Sequence, residues 1–266
     1  MSRRGLLLAA MLVSTGGFAQ DGVIRLHAAG SLRGAMTELA QSFRASGGGE
    51  VKATFGASGL LRERIEKGEG TDLFASADVQ NAQRLADAGR SGPPNIFTRN
   101  QLCALVAPGV EVSELTLLDH MLDPAVKLGT STPKADPAGD YAWQMFEKAE
   151  KVRPGAYATL DRKALKLTGG ADSPPAPTDR SIYGMLIAER KADIFLTYCT
   201  NAVVAMRELP GSRMLAPPPT LAVGASYAFV VMNDANPATR RFALYILSLA
   251  GQSILARHGF TPVALP

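Results

Sequence analysis

Two serines stand where hydroxyl chemistry is easiest to place. Ser31, in Ala28-Ala29-Gly30-Ser31-Leu32, and Ser58, in Gly56-Ala57-Ser58-Gly59-Leu60, each follow an expected strand and open an expected helix. The first turn of a helix carries backbone N–H groups without intrahelical partners, and the helix dipole places partial positive charge there. A hydroxyl at that point adds a donor, and small neighbouring residues let the backbone approach a bound group. Two such ends facing each other form a site for a small anion, with no metal ion or charged side chain required. Taken singly, each serine also reads as an ordinary helix cap. Their equivalent positions in consecutive strand–helix units favour the paired reading, because adjacent strands of an open parallel sheet bring such turns side by side.

Other chemistries find less support. Ser131-Thr132-Pro133-Lys134 has the S-x-x-K spacing of penicillin-recognising enzymes, which would make the chain an exported serine hydrolase. Pro133 opposes a helix through that motif, and neither S-D-N nor K-T-G follows it. Ser58 lacks the G-x-S-x-G elbow, since Leu60 stands two places on. His27, His120 and His258 are scattered, and with Cys103 and Cys199 they show no zinc-ligand spacing. His27 lies in an apolar strand and reads as a core residue. Phosphate loops and G-x-G-x-x-G are absent, so no cofactor is called for. Cys103 and Cys199 either pair in an oxidising compartment, contributing about 4 kcal/mol through loop-closure entropy, or remain two buried thiols in the apolar segments QLCALVA and IFLTYCTN.

The elements that must position these residues alternate along the chain. Strands are expected at 23–27, 51–55, 72–77 and 102–107, with helices at 32–43, 60–67 and 79–88, the last capped by Asp78. The first helix shows one apolar face: Leu32, Ala35, Met36, Leu39, Ala40 and Phe43. Further on, strands are expected at 126–129, 194–198 and 226–232. Helices are expected at 141–151, 182–190 (started by Asp179 or Ser181) and within 237–258. The stretch DSPPAPT at 172–178 reads as a loop and Pro217-Pro218-Pro219 as a rigid connector. This pattern implies α/β layers with mainly parallel sheets covered on both faces.

Arg3 and Arg4, the apolar run 5–13 and the small residues around Ala19 read as a secretory signal over residues 1–19. No stretch reaches the ~18 apolar residues of a membrane-spanning helix. Without the signal the formal charge falls from +4 to +2, with no long basic run, which argues against nucleic acid as a partner. A composition of 46% hydrophobic and 20% charged residues is that of a globular protein.

The A-A-x-S-L around Ser31, the F-G-A-S-G around Ser58 and the T-D-L-F-A-S-A-D of residues 71–78 resemble the periplasmic molybdate-binding proteins of ABC importers. Segments 102–108 (LCALVAP), 137–142 (PAGDYA) and 194–198 (IFLTY), with Gly259-Phe260, agree in order, so the resemblance covers nearly the whole mature chain. It implies a two-lobe, type II-like α/β fold, each lobe a mainly parallel sheet flanked by helices. One lobe would comprise residues 20–103 plus 217–266 and the other 104–216, with the ligand in the cleft between them. It further implies a periplasmic monomer, not an enzyme, that captures molybdate or tungstate and delivers it to a membrane permease. The site residues implied are the hydroxyls of Ser31, Ser58 and Tyr198 and the backbone N–H of Ala138. Arg180 falls where the family has a small apolar residue offering its backbone N–H. Either Arg180 gives its N–H and sends its side chain to solvent, or its guanidinium enters the cleft as a fork-shaped donor. The second case favours a differently shaped or more carboxylate-like anion.

Overall fold

The computed structural model describes residues 22–177 and 179–263; the signal expected at 1–19 lies outside them. The chain begins with β1 (Ile24–Ala29), a 3-10 turn (Gly30–Leu32), α1 (Arg33–Ala45), β2 (Val51–Gly56), α2 (Ser58–Glu66), β3 (Leu73–Ser76) and α3 (Val79–Asp87). It continues through β4 (Asn95–Val106), α4 (Leu117–Leu122), β5 (Leu128–Ser131), α5 (Pro137–Val152), α6 (Ala156–Lys163) and β6 (Leu165–Thr168). Then come α7 (Ile182–Ala188), β7 (Ile194–Tyr198), α8 (Cys199–Glu208), β8 (Arg213–Leu215), β9 (Gly224–Val231), α9 (Pro237–Leu247), α10 (Leu249–Arg257) and β10 (Thr261–Pro262).

Local signals account for the element boundaries. α1 buries Ala35, Met36, Leu39 and Phe43, the expected apolar stripe. Asp78 caps α3 by accepting the Asn81 N–H at 2.9 Å. Asp136 caps α5 with Pro137 at its first position, so this helix starts four residues before the expected 141. Ser181, rather than Asp179, caps α7 by accepting from the Gly184 N–H. The region 237–258 divides into two helices at Ser248.

The strands form one continuous curled path, β2-β1-β3-β9-β4-β7-β5-β6, with β8 and β10 added to β4. Pairing is parallel toward both ends, where β1 meets β2 and β3, and β5 meets β6 and β7. It turns antiparallel where β9 and β4 enter. β4 is common to both halves: residues 95–101 pair with β9 and residues 102–106 with β7. Burial divides similarly, one cluster including Leu26, Met36, Leu73 and Phe229 and another including Val106, Leu128, Phe146 and Leu196. Cys103 on β4 is disulfide-bonded to Cys199, which opens α8 instead of extending a strand. Among the described residues, no helix is long and apolar enough to cross a membrane.

Candidate ligand cleft

A cleft of about 640 Å³ lies at the carboxyl ends of β1 and β2. One wall carries Ser31, Ser58 and Ala77; the other carries Asp136, Gly169, Arg180, Tyr183 and Tyr198. Ligands of open α/β folds bind in this kind of crevice, because strand–helix turns converge there.

Neither serine acts as a cap. Ser31 lies in the 3-10 turn that leads into α1, and its hydroxyl shares a 2.9 Å hydrogen bond with the Tyr227 hydroxyl. Burial holds the Tyr227 phenol well above its ordinary pKa, so both hydroxyls carry a proton and either can be the donor; with Tyr227 donating, the Ser31 proton is free. Ser58 is the first residue of α2, is almost fully buried, and accepts the Ala77 N–H at 3.1 Å. A hydroxyl that accepts one bond retains its own proton to donate. Both serines can therefore direct a proton into the cleft.

Tyr198 closes β7 and lines the same cleft, its ring 5.4 Å from Tyr227 and 6.2 Å from Tyr141 between centroids. Its hydroxyl is buried and has no hydrogen-bond partner among the described residues. An unpaired buried hydroxyl costs about 1–3 kcal/mol, which a ligand oxygen would recover. Burial, with Tyr227 nearby, pushes this phenol well above its ordinary range and keeps it a donor.

The opposing wall differs from a ring of neutral donors. Ala138 is fully buried in the first turn of α5, and its N–H donates to Asp136 Oδ1 at 3.1 Å. Asp136, not Ala138, lines the cleft. Burial raises the Asp136 carboxyl to about 6, against the lowering effect of the Ala138 N–H and the Ser131 hydroxyl. The charges of Asp140 and Asp78 raise it further. Gly169, with φ of +77°, packs directly on it: a Cβ there would stand 2.6 Å from that of Asp136.

Arg180 is exposed, lines the cleft and donates from Nη2 to Met185 Sδ at 3.1 Å. Arg33 also lines it, with its guanidinium 4.7 Å from the centre of the Phe55 ring. Ser131 ends β5 and is fully buried, whereas Lys134 lies exposed in the following turn with φ of +68°. The S-x-x-K pair thus spans a strand end and a turn rather than one helix.

Among the described residues, hydrogen bonds join the walls. The Gly59 N–H donates to the Ala135 carbonyl at 2.9 Å, and the Tyr141 hydroxyl donates to the Ala77 carbonyl at 3.5 Å. Residues 24–261 match the model of the family described as bacterial extracellular solute-binding protein. The chain belongs to that family. This solute-binding protein is 34% identical to an uncharacterised protein of Pasteurella multocida, over 90% of this chain and 98% of the relative. It is 28% identical to the molybdate-binding protein of Escherichia coli, over 94% of this chain and 93% of that one. Among solved structures it is similar to the sulfate-binding protein of Mycobacterium tuberculosis, with a TM-score of 0.76 and 17% identity, over 91% and 87% of the two chains. That last likeness shows the periplasmic-binding-protein fold.

Of the five residues expected from the sequence, Ser31, Ser58, Arg180 and Tyr198 line one cleft, whereas Ala138 does not. Sequence reasoning missed Asp136, Ala77 and Arg33. The signal for Asp136 was present: Asp136-Pro137-Ala138-Gly139 is a helix-start signature, and a cap residue stands beside the N–H groups it serves.

Proposed function

We propose that this is the exported binding component of an ABC importer, capturing a small tetrahedral oxyanion between two lobes. Molybdate and tungstate stand first. The observation that carries this reading is the convergence of two serine hydroxyls on a cleft that also holds the Tyr198 hydroxyl, unpartnered among the described residues. A desolvated dianion is tolerated only where many oriented donors surround it, and neutral hydroxyls supply these without fixed counter-charges. The similarity to proteins named for molybdate and sulfate binding supports the class of ligand.

In this reading residues 20–103 plus 217–266 form one lobe and 104–216 the other, hinged at β4. The split pairing of β4, residues 95–101 with β9 and 102–106 with β7, supports this. The protein works as a periplasmic monomer and presents its closed form to a membrane permease. Ser31, Ser58 and Tyr198 hold the anion, Ala138 contributes its N–H when Asp136 releases it, and Arg180 adds positive charge at the rim.

A second reading follows from the volume. About 640 Å³ falls in the ~300–1,000 Å³ range of small organic ligands. A larger anion held at the serines and reaching Arg180 would use that room. Calorimetry with molybdate, tungstate, sulfate, phosphate and small carboxylates separates the two. Saturable heat with molybdate or tungstate at micromolar protein is expected, and silence with both, alongside heat from a carboxylate, selects the second reading.

A further inference from the structure

The cleft that offers donors to an anion also contains a carboxylate. Asp136 lines it across from Ser31 and Ser58 and already occupies the Ala138 N–H. Of the groups acting on it, Asp140 on α5 and Asp78 at the start of α3 are acidic; Ser131 at the end of β5 is neutral. Tyr183 on α7 and Tyr198 on β7 are tyrosines whose ionisation the Asp136 charge opposes, after burial itself. Gly169, beyond β6, packs against the carboxyl and brings no charge. Of the remaining charged side chains lining the cleft, Arg180 engages Met185, Arg33 lies over Phe55, Glu208 accepts the Ser181 N–H, and Asp179 is exposed beside Arg180. The charged groups that act on Asp136 most strongly, Asp140 and Asp78, are both acidic.

An ionised Asp136 and a bound oxyanion would therefore meet as two like charges in a desolvated cleft, with acceptor facing acceptor. One proton between them removes the repulsion and converts the contact into a strong O–H···O hydrogen bond. Resting on the oxyanion reading above, we propose that this site takes its anion together with one proton, held between Asp136 and an anion oxygen. Asp136 is thus a specificity residue: it favours an anion that brings a proton of its own, and it makes a fully ionised anion draw one from solvent. The carboxyl's position near 6 makes that proton accessible close to neutrality.

Molybdate is the probe for the fully ionised case and inorganic phosphate for the proton-bearing one. Calorimetry of the wild-type protein with molybdate at pH 6.5, 7.25 and 8.0, in buffers of different ionisation enthalpy, should show uptake approaching one proton per anion. Affinity should fall about tenfold per pH unit, or ~30-fold over that span. Phosphate, which carries its own proton over much of this range, should show less uptake. Asp136→Asn retains a capping side chain and should bind molybdate with a flat pH profile, tighter than wild type at pH 8.0. Molybdate binding to wild type without proton uptake and with pH-independent affinity would overturn the inference while leaving the oxyanion reading intact. A slope retained in Asp136→Asn would overturn it equally. No binding of molybdate, tungstate or phosphate at any of these pH values, to protein shown folded by circular dichroism, removes both.

Discussion

Gly59→Ala tests whether the two walls must touch for the cleft to work. Gly59 is the second residue of α2, immediately after Ser58, and its N–H donates to the Ala135 carbonyl on the turn before α5. A Cβ at this position would stand 2.7 Å from the Ala135 oxygen and closer still to the Lys134 oxygen. Both are backbone atoms and cannot swing aside as a long side chain would. The turn has to retreat, which loses the Gly59 hydrogen bond, about 1 kcal/mol, and adds overpacking of ~1–3 kcal/mol. These charges fall on the joined state rather than on either wall alone. Anion affinity should drop by roughly 2–4 kcal/mol, or ~30- to ~700-fold, because the binding-competent form becomes rarer. The assay is calorimetric titration with tungstate, paired with small-angle scattering to follow compaction on binding. Gly224→Ala is the control, since a Cβ there meets open space. Affinity within twofold of wild type in Gly59→Ala would show that this contact has no part in capture.

The remaining predictions rest on separate features. Tyr198→Phe removes a buried hydroxyl that lacks a partner among the described residues, so the unliganded protein should hold or gain up to about 1 kcal/mol in urea unfolding while anion affinity falls at least ~10-fold; a loss of stability without a loss of affinity would make Tyr198 purely structural. The Asp136 carboxyl sits above its unfolded value, so the native state binds the extra proton, and stability of the unliganded protein should decrease as pH rises from ~4 through 6. That decrease is about 3 kcal/mol at most, and Asp136→Asn should abolish it; identical pH profiles for the two proteins would contradict the assignment. The Cys103–Cys199 bond closes a span of 96 residues, so replacing both by serine should cost roughly 4–5 kcal/mol of unfolding free energy, and an unchanged urea midpoint would refute that.

The first three strand–helix units were legible because each helix carries an apolar stripe and ends at a breaker such as Gly47, Gly68 or Gly89. β4 was not: its first half, 95–101, is rich in Asn, Thr, Arg and Gln, and only pairing with β9 makes it a strand. α8 was hidden for the opposite reason. Tyr198 passes into Cys199 without a breaker, so the apolar run of β7 reads on into the helix. β6 and β8 are short, and their formation depends on neighbouring strands.

At the site, the serines were readable because strand-to-helix turns are marked by small residues. Tyr227, the hydroxyl partner of Ser31, is 196 residues away, and nothing local announces it. Asp136 was passed over because the resemblance directed attention to the Ala138 N–H two residues on. That a cap residue also faces the cleft is a tertiary fact, set by the packing of Gly169 and the approach of α3.

The most direct test of the central claim is equilibrium titration of wild type and of the Ser31→Ala/Ser58→Ala double variant with molybdate at pH 6.5. Each lost hydroxyl leaves an anion oxygen without a donor, a cost of about 1–3 kcal/mol. The account predicts saturable 1:1 binding to wild type and at least ~30-fold weaker binding to the double variant, with the far-ultraviolet spectrum unchanged. Equal affinity in the two proteins would place the anion elsewhere and contradict the account.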